Sequence, residues 1–338
     1  MMKKIYDYAP LVSSYFKKHL AGTKNVSVNT IHSYRDTFIL FNEYLEKQYG
    51  FKLEKTNISD LSRDIVLEFL NYLEVQRGYS ASSRNQRLAT LKSFMKYVQI
   101  ERPDEMLVCQ SIIAIEGKST EKPVIQYLSN IQTEILMEQP DISSPKGRRD
   151  LAMLMLLYDS GARVQELCDL KVSDVRLDSP AVVRLFGKGR KNRSVPLTCP
   201  CVQVLRSYIQ ENHLDDPAHS NDPLFINPQR KKLTRSGVSY VLTKYIRQAN
   251  ETTDADMPAI TPHCLRHSKA MHLVEAETNL IYIRDFLGHE SIETTQVYAK
   301  ANPESRRKAL ETMDKKLKTP VMPDWNDDPN LKAFLKGL

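Results

Sequence analysis

Four side chains within one stretch of this chain have the types and order that phosphate chemistry needs. Residues 261–268 read TPHCLRHS, 287–290 read LGHE and 294–301 read TTQVYAKA, setting out His263, Arg266, His289 and Tyr298. His263 and Arg266 are three apart and share one face of a helix. Gly288 suits a helix C-terminus just before His289. A cation, two imidazoles and a phenol make an odd protein core and a sensible surround for a phosphodiester. A phenol of pKa ~10 is a weak nucleophile at neutral pH and needs nearby cations or a base.

Groups far upstream can complete such a site. SGARVQELCDL (160–170) places Arg163 at a helix boundary with Glu166 one turn on. A guanidinium there can fork two donors onto phosphate oxygens while the carboxylate orients it. A plain surface ion pair is the competing reading. GKGRKNR (187–193) puts Lys188 in a glycine-flanked turn where backbone can approach DNA, with a solvated basic turn as the alternative. Arg163, Arg266, His263 and His289 together offer positive charge and oxyanion stabilisation for a pentavalent phosphorane. Two arginines can neutralise the charge that Mg²⁺ neutralises elsewhere. With no carboxylate cluster beside them, the expectation is a reaction without metal or other cofactor. His263 and His267, at i and i+4, could share a zinc, but Cys264 stands where the HExxH pattern needs Glu. The expected role of His267 is a packed, hydrogen-bonded core histidine.

The elements that must position these groups are mostly helical. Apolar residues recur at helical spacing after Pro10 up to Gly22, from Ser27 to Gly50, after Ser62 to Gly78, and after a cap at Ser82 or Ser83. Four amphipathic helices without strand signals predict a small helical domain over 1–102. Residues 103–125, punctuated by Pro103, Gly117 and Pro123, read as a linker. A second domain over 126–318 shows helical patterns at Ile131–Glu138, Arg149–Tyr158, Val202–Gln210, Ser236–Gln248, Pro262–Glu275, Leu280–Phe286 and Glu304–Lys316. AVVRLF (181–186) and RSVPL (193–197) read as a β-hairpin. The fold class is therefore mainly α with a small β-sheet. Residues 319–338, with Pro320, Pro323, Trp325 and LKAFLKGL, form a tail.

Charge points to the partner. The formal net charge is +7, and residues 181–250 hold twelve Lys/Arg against four acids, so that window carries the whole excess. A second basic run, Arg77, Arg84, Arg87, Lys92 and Lys96, has no acid between Val75 and Tyr97. Two basic zones fit two surfaces on one polyanion. Arg84, Arg87, Lys92, Arg190, Lys191, Arg235 and Lys244 are the candidate DNA contacts, with solvated helix faces as the alternative. No run approaches the ~18 apolar residues of a membrane span. The N-terminus MMKKIYDYAP lacks a secretory core. Five cysteines without framework spacing fit reduced thiols, and the expected location is the cytoplasm, associated with the nucleoid.

GARVQEL, GKGRKNRSVPL, TPHCLRHS and LGHESIETTQVYAKA, behind a basic helical N-domain, resemble the tyrosine recombinase (phage integrase) family. Xer-like and transposon- or integron-associated integrases are the nearest flavour, in register from about Val26 to Ala309. The resemblance implies an N-terminal core-binding, SAM-like helical bundle and a mixed α/β catalytic domain closing on DNA. It implies that Arg163 and Arg266 hold the scissile phosphate, with His289 as a further hydrogen-bond donor and Glu166 in support. Lys188 would be the general acid for the 5′-hydroxyl, and His263 would assist proton transfer with the nucleophile. Tyr298 would form a 3′-phosphotyrosyl bond. The implied partners are double-stranded DNA with inverted core sites, three further copies in a tetramer working through a Holliday junction, and a sister recombinase. The tail would dock on a neighbouring subunit. Lys269 departs from the apolar or aromatic residue of many relatives. The alternatives are a DNA-binding architectural protein with a vestigial site and a type IB topoisomerase. Seven filled positions argue against the first, and a compact N-domain without a long coiled linker argues against the second.

Overall fold

Serine hydroxyls set where the first long helices begin. In the computed structural model, Ser27, Ser62 and Ser80 each accept a hydrogen bond from the backbone N–H three residues on. They start α2 (Val28–Tyr49), α3 (Arg63–Val75) and α4 (Ala81–Glu101). The cap of α4 is thus Ser80 rather than Ser82 or Ser83, which lie inside the first turn. Gly50 ends α2 at φ +67°, the left-handed geometry of a glycine C-cap. α1 (Tyr8–Ser14) continues as a wider π-type stretch over Tyr15–Thr23, past the expected stop at Gly22. The structure describes residues 6–120, 125–187 and 192–301, with 333, 336 and 337 beyond them.

The chain divides into two units, Met1–Lys122 and Pro123–Leu338, each with its own hydrophobic core. In the first, Phe94 packs edge-on against Tyr15 (5.3 Å) and Phe38 (5.2 Å), and Phe41 meets Phe69 at 5.0 Å. Residues expected as linker join this core. Pro103–Glu105 forms a 3-10 turn, and α5 (Met106–Ile113) buries Cys109 and Ile112. Farther on, the Asn85 side-chain amide holds both backbone groups of Lys118, at 2.8 and 2.9 Å. An eight-residue helix is too short to show a clear 3.6 period, which is why composition read it as linker.

α4 also overturns the expected orientation of two arginines. It packs against α2, α3 and α5, so little of it faces solvent. Arg84 is buried with its Nε 3.4 Å from Glu74. Arg87 donates to the Ser33 carbonyl (3.1 Å) and the Thr37 hydroxyl (3.0 Å). Long guanidinium stems reach inward polar groups while their methylenes pack. Lys92 is half-buried and Lys96 exposed.

The second unit is built on α7 (Pro145–Asp159), whose Ala152, Met153, Leu154, Leu156 and Leu157 are buried. Burying each such leucine contributes roughly 1.5–3 kcal/mol. α6 (Asn130–Glu138), α9 (Cys199–Glu211) and α11 (Pro262–Glu275) pack on it. After α8 (Val164–Asp169), a three-stranded antiparallel sheet runs in the order β1 (Val175–Arg176), β2 (Val182–Phe186), β3 (Asn192–Pro196). Val183 pairs with Val195, and both side chains point into the core. β1 was not foreseen because two residues show no alternation. α10 (Arg235–Thr252), α12 (Leu280–Leu287) and α13 (Glu293–Ala301) complete the unit. No helix of the described residues is long and apolar enough to cross a membrane. The expected helix at 304–316 lies outside the described residues, as does the 319–338 tail apart from 333, 336 and 337.

Candidate active site

Arg163 caps α8 rather than sitting inside it. Its backbone N–H donates to Glu166 Oε2 and its Nη1 to Oε1, both at 2.8 Å, so the carboxylate three residues on reaches back to the start of the helix and ties it to the arginine. Glu166 is also gripped from β3: Arg193 Nη1 and Nη2 donate to its two oxygens at 3.0 and 2.8 Å. Burial pushes the Glu166 carboxyl up, but the hydrogen bonds and charge of Arg193, then Arg163, outweigh it and hold it below the usual range.

The end of α12 gathers the arginines. Arg193 Nε donates to the Phe286 carbonyl at 3.0 Å, Arg266 Nη2 to that of Leu287 at 2.6 Å, and Arg163 Nη2 to that of Gly288 at 3.3 Å. These carbonyls are among those a helix leaves unpaired at its C-terminus, where the dipole is negative. Three guanidiniums from three separate elements thus converge on one helix end. Gly288 at φ +65° turns the chain there, and a Cβ would come within 3.1 Å of Arg193 Cδ. Gly161 at φ +55° packs against Phe286 and Leu287 of the same helix end, its carbonyl accepting from Arg266 Nη1 at 2.6 Å.

Arg266 is 1% exposed. Burial, then the charges of Arg163 and Arg193, push it down to about 9, so it remains a cation at neutral pH. Three guanidiniums meet here, two of them on the Glu166 carboxylate. A cleft of about 420 Å³ opens beside them, lined by Arg163, Arg193, His289 and Thr294, by Gly187 and Asn192, and by the acidic residues Asp285 and Glu290. Lys188, Arg190 and Lys191 lie outside the described residues; Gly187 and Asn192 are the described residues on either side of them.

Pro262 at the first position of α11 starts the helix that carries HCLRH, and Arg266 and His267 follow within its first two turns. His263 is exposed, and burial of its ring, then the charges of Arg266 and Arg163, push its pKa down. Tyr298 on α13 is 3% exposed. Its hydroxyl is 2.7 Å from His267 Nδ1, and its ring stacks on His289 at 6.3 Å and 12°. Burial raises the phenol pKa while Arg266 and Arg163 lower it, and the rise wins. His289 Nδ1 is 2.9 Å from the buried Thr295 hydroxyl, and burial, then Arg266, Arg163 and Arg193, push this imidazole down to about 4.

Arg163, Glu166, His263, Arg266, His289 and Tyr298 are therefore brought into one neighbourhood. Sequence reasoning missed Arg193, Thr295 and the contact of His267. Arg193 carried a signal: it shares a strand face with buried Val195, so it sits on the apolar phase of β3. Lys269 is settled elsewhere, with its Nζ 3.2 Å from Asp159 and 5.0 Å above the Tyr158 ring. Arg235 is exposed at the start of α10, beside Ser236, Ser239 and Tyr240 in a shallow cleft. Lys244 lies half-buried over the Tyr245 ring at 4.2 Å.

Comparison with known proteins is consistent from end to end. Residues 126–305 match the phage integrase family, and residues 14–101 match its N-terminal SAM-like domain. The chain is 33% identical to a putative integrase/recombinase, y4rC, of Sinorhizobium fredii over the full length of both. It is 35% identical to the tyrosine recombinase XerC of Roseiflexus castenholzii over 86% of this chain and 88% of that one. It is 33% identical to XerD of Staphylococcus epidermidis over 84% and 92%. Among solved structures, XerH bound to a palindromic difH substrate in a post-cleavage complex superposes with a TM-score of 0.67 at 21% identity, covering 89% of this chain and 85% of that one. The Tn1549 transposon integrase with transposon right-end DNA gives 0.68 at 18% identity, covering 90% and 99%, and these two likenesses bear on the fold. With both domain models and near-full-length relatives in agreement, the chain belongs to the phage integrase family of tyrosine recombinases, enzymes of site-specific DNA recombination.

Proposed function

We propose that this chain cuts and rejoins double-stranded DNA through a covalent 3′-phosphotyrosyl bond at Tyr298. The observation that carries this reading is the cationic, largely desolvated site beside a buried phenol. Arg163, Arg193 and Arg266 converge on the α12 end with Glu166 between two of them, and this cluster of donors is where a phosphodiester binds in this reading. Arg163 and Arg266 hold the scissile phosphate and offset the charge that grows on its oxygens. His289 Nδ1 pairs with the Thr295 hydroxyl, and in the tautomer protonated at Nε2 this ring donates to the phosphate. Lys188 protonates the departing 5′-oxygen, and His263 assists at the exposed side. The phosphotyrosine preserves the energy of the broken bond, so rejoining needs no nucleotide, and the arginines do the work of a metal ion.

The complexes of XerH and of the Tn1549 integrase with DNA support a DNA duplex as the substrate. In this reading the chain binds inverted core sites as a tetramer, exchanges strands through a Holliday junction and works alone or with a sister recombinase. Arg235, exposed on α10, and Lys244 contact the duplex backbone, as do Lys92, Arg190 and Lys191.

The test is incubation with a library of nicked duplexes carrying randomised arms, in EDTA. Wild-type protein forms an SDS-resistant adduct with a subset of sequences, which also identifies the site. Tyr298→Phe binds that subset but forms no adduct. An adduct surviving this substitution removes Tyr298 as the nucleophile.

A further inference from the structure

We propose that His267 is the proton acceptor for the Tyr298 nucleophile, an inference that rests on the reading of Tyr298 as the attacking group. Spacing alone draws attention to His263, yet the described hydrogen-bond partner of the Tyr298 hydroxyl is His267 Nδ1, at 2.7 Å. His263, one turn earlier on α11, meets the His267 ring edge-on with centroids 4.4 Å apart. The phenol lies between two imidazoles, tilted against His267 at 5.5 Å and parallel to His289 at 6.3 Å. At 3% exposure it has little access to water, so its proton must leave to a side chain. His289 stacks by its face and has Nδ1 committed to Thr295. Arg163 and Arg266 are cations with no lone pair to offer.

The electrostatics agree with this geometry. Burial, then the charges of His263 and Arg266 on the same helix, push the His267 imidazole down to about 4. It is therefore neutral at physiological pH, with an acceptor available. From the packed elements Tyr298 faces it directly, while His289 stacks on that phenol and Arg163 acts on it. A weak base against a raised phenol does not remove the proton in the resting state. The transfer accompanies attack: Tyr298 Oη bonds to phosphorus as its O–H bond breaks and an N–H bond forms on His267 Nδ1. The bond from phosphorus to the 5′-oxygen breaks, and that oxygen takes a proton from Lys188. In rejoining, the 5′-hydroxyl attacks phosphorus as its O–H bond breaks and the proton returns to Lys188, the bond to Oη breaks and His267 returns its proton to the departing phenolate.

Single-turnover cleavage of the selected nicked duplex tests this with His267→Gln and His267→Ala. Glutamine keeps an acceptor for the hydroxyl but cannot take its proton. Both variants should cleave about a hundredfold or more slowly at pH 7, in line with loss of a general base. Their rates should climb about tenfold per pH unit from pH 7 to 9 as phenolate forms unaided, while wild type stays flat. Unchanged duplex binding and helical circular dichroism show that each variant is folded. His267→Gln cleaving within about threefold of wild type overturns the inference in favour of simple positioning; slow variants with a flat pH profile overturn it as well. An adduct that survives Tyr298→Phe removes the nucleophile itself, a failure distinguishable from either of these.

Discussion

Arg193 holds together more of the site than its place in a basic hairpin suggests. It is one of two arginines on Glu166 and also pairs a terminal carbonyl of α12. Its side chain is 11% exposed and that of Glu166 4%, so their pair is largely desolvated. Removing one partner of such a pair leaves a buried charge uncompensated. Arg193→Ala should lower stability by about 3 kcal/mol, the low end of the cost of breaking a buried pair. The urea midpoint checks this, and an unshifted midpoint would show that Arg163 alone suffices for Glu166. Cleavage should fall by more than tenfold while duplex binding changes little, because Arg193 orients Arg163 through the shared carboxylate. At this scale the sequence singled out Arg163, Arg266 and Tyr298 by residue type, and the structure brings them into one neighbourhood. It was illegible where a role depends on a contact, as for His267, whose neighbour lies on another helix.

Elements matter here chiefly through their ends. α12 spans Leu280–Leu287, and the carbonyls at and just past its C-terminus organise three guanidiniums from α8, β3 and α11. Gly288 permits that ending with its positive φ. Gly288→Ala should cost about 1–2 kcal/mol for the left-handed backbone and press on Arg193 in addition. Thermal unfolding reads the stability loss. Cleavage should drop further than stability accounts for, because the arginines lose their common anchor; a parallel drop in both would mean the helix end has no special hold on them. Periodicity located α11 at Pro262–Glu275 and the hairpin strands to within a residue. It failed for α5 and β1, which are too short to show a period, and for the inward turn of Arg84 and Arg87 on a helix packed by three neighbours.

Across the whole molecule, two separate cores explain why signals from residues 14–101 and 126–305 are independently recognisable. Net charge of +7 concentrated over 181–250 makes binding to a duplex strongly salt-dependent. Exposed Arg235 supplies one backbone contact in this reading. Arg235→Ala should weaken binding evenly across sequences and reduce the slope of log K against log salt by about 1. Titrations at several salt concentrations measure it; an unchanged slope would take Arg235 off the phosphate backbone.

The sequence by itself carried the family resemblance, through motifs quoted in order, and the mainly helical plan with a small sheet. The plan follows from local spacing and capping, which are properties of neighbours along the chain. Only the tertiary structure decided that Arg193 shares Glu166 with Arg163, that α12's end collects the arginines, and that His267 is the histidine hydrogen-bonded to the Tyr298 hydroxyl. Apart from the local Arg163–Glu166 pair, these contacts join residues 21 to 125 positions apart, and which of several equivalent side chains wins is set by packing around them rather than by any pattern within one segment.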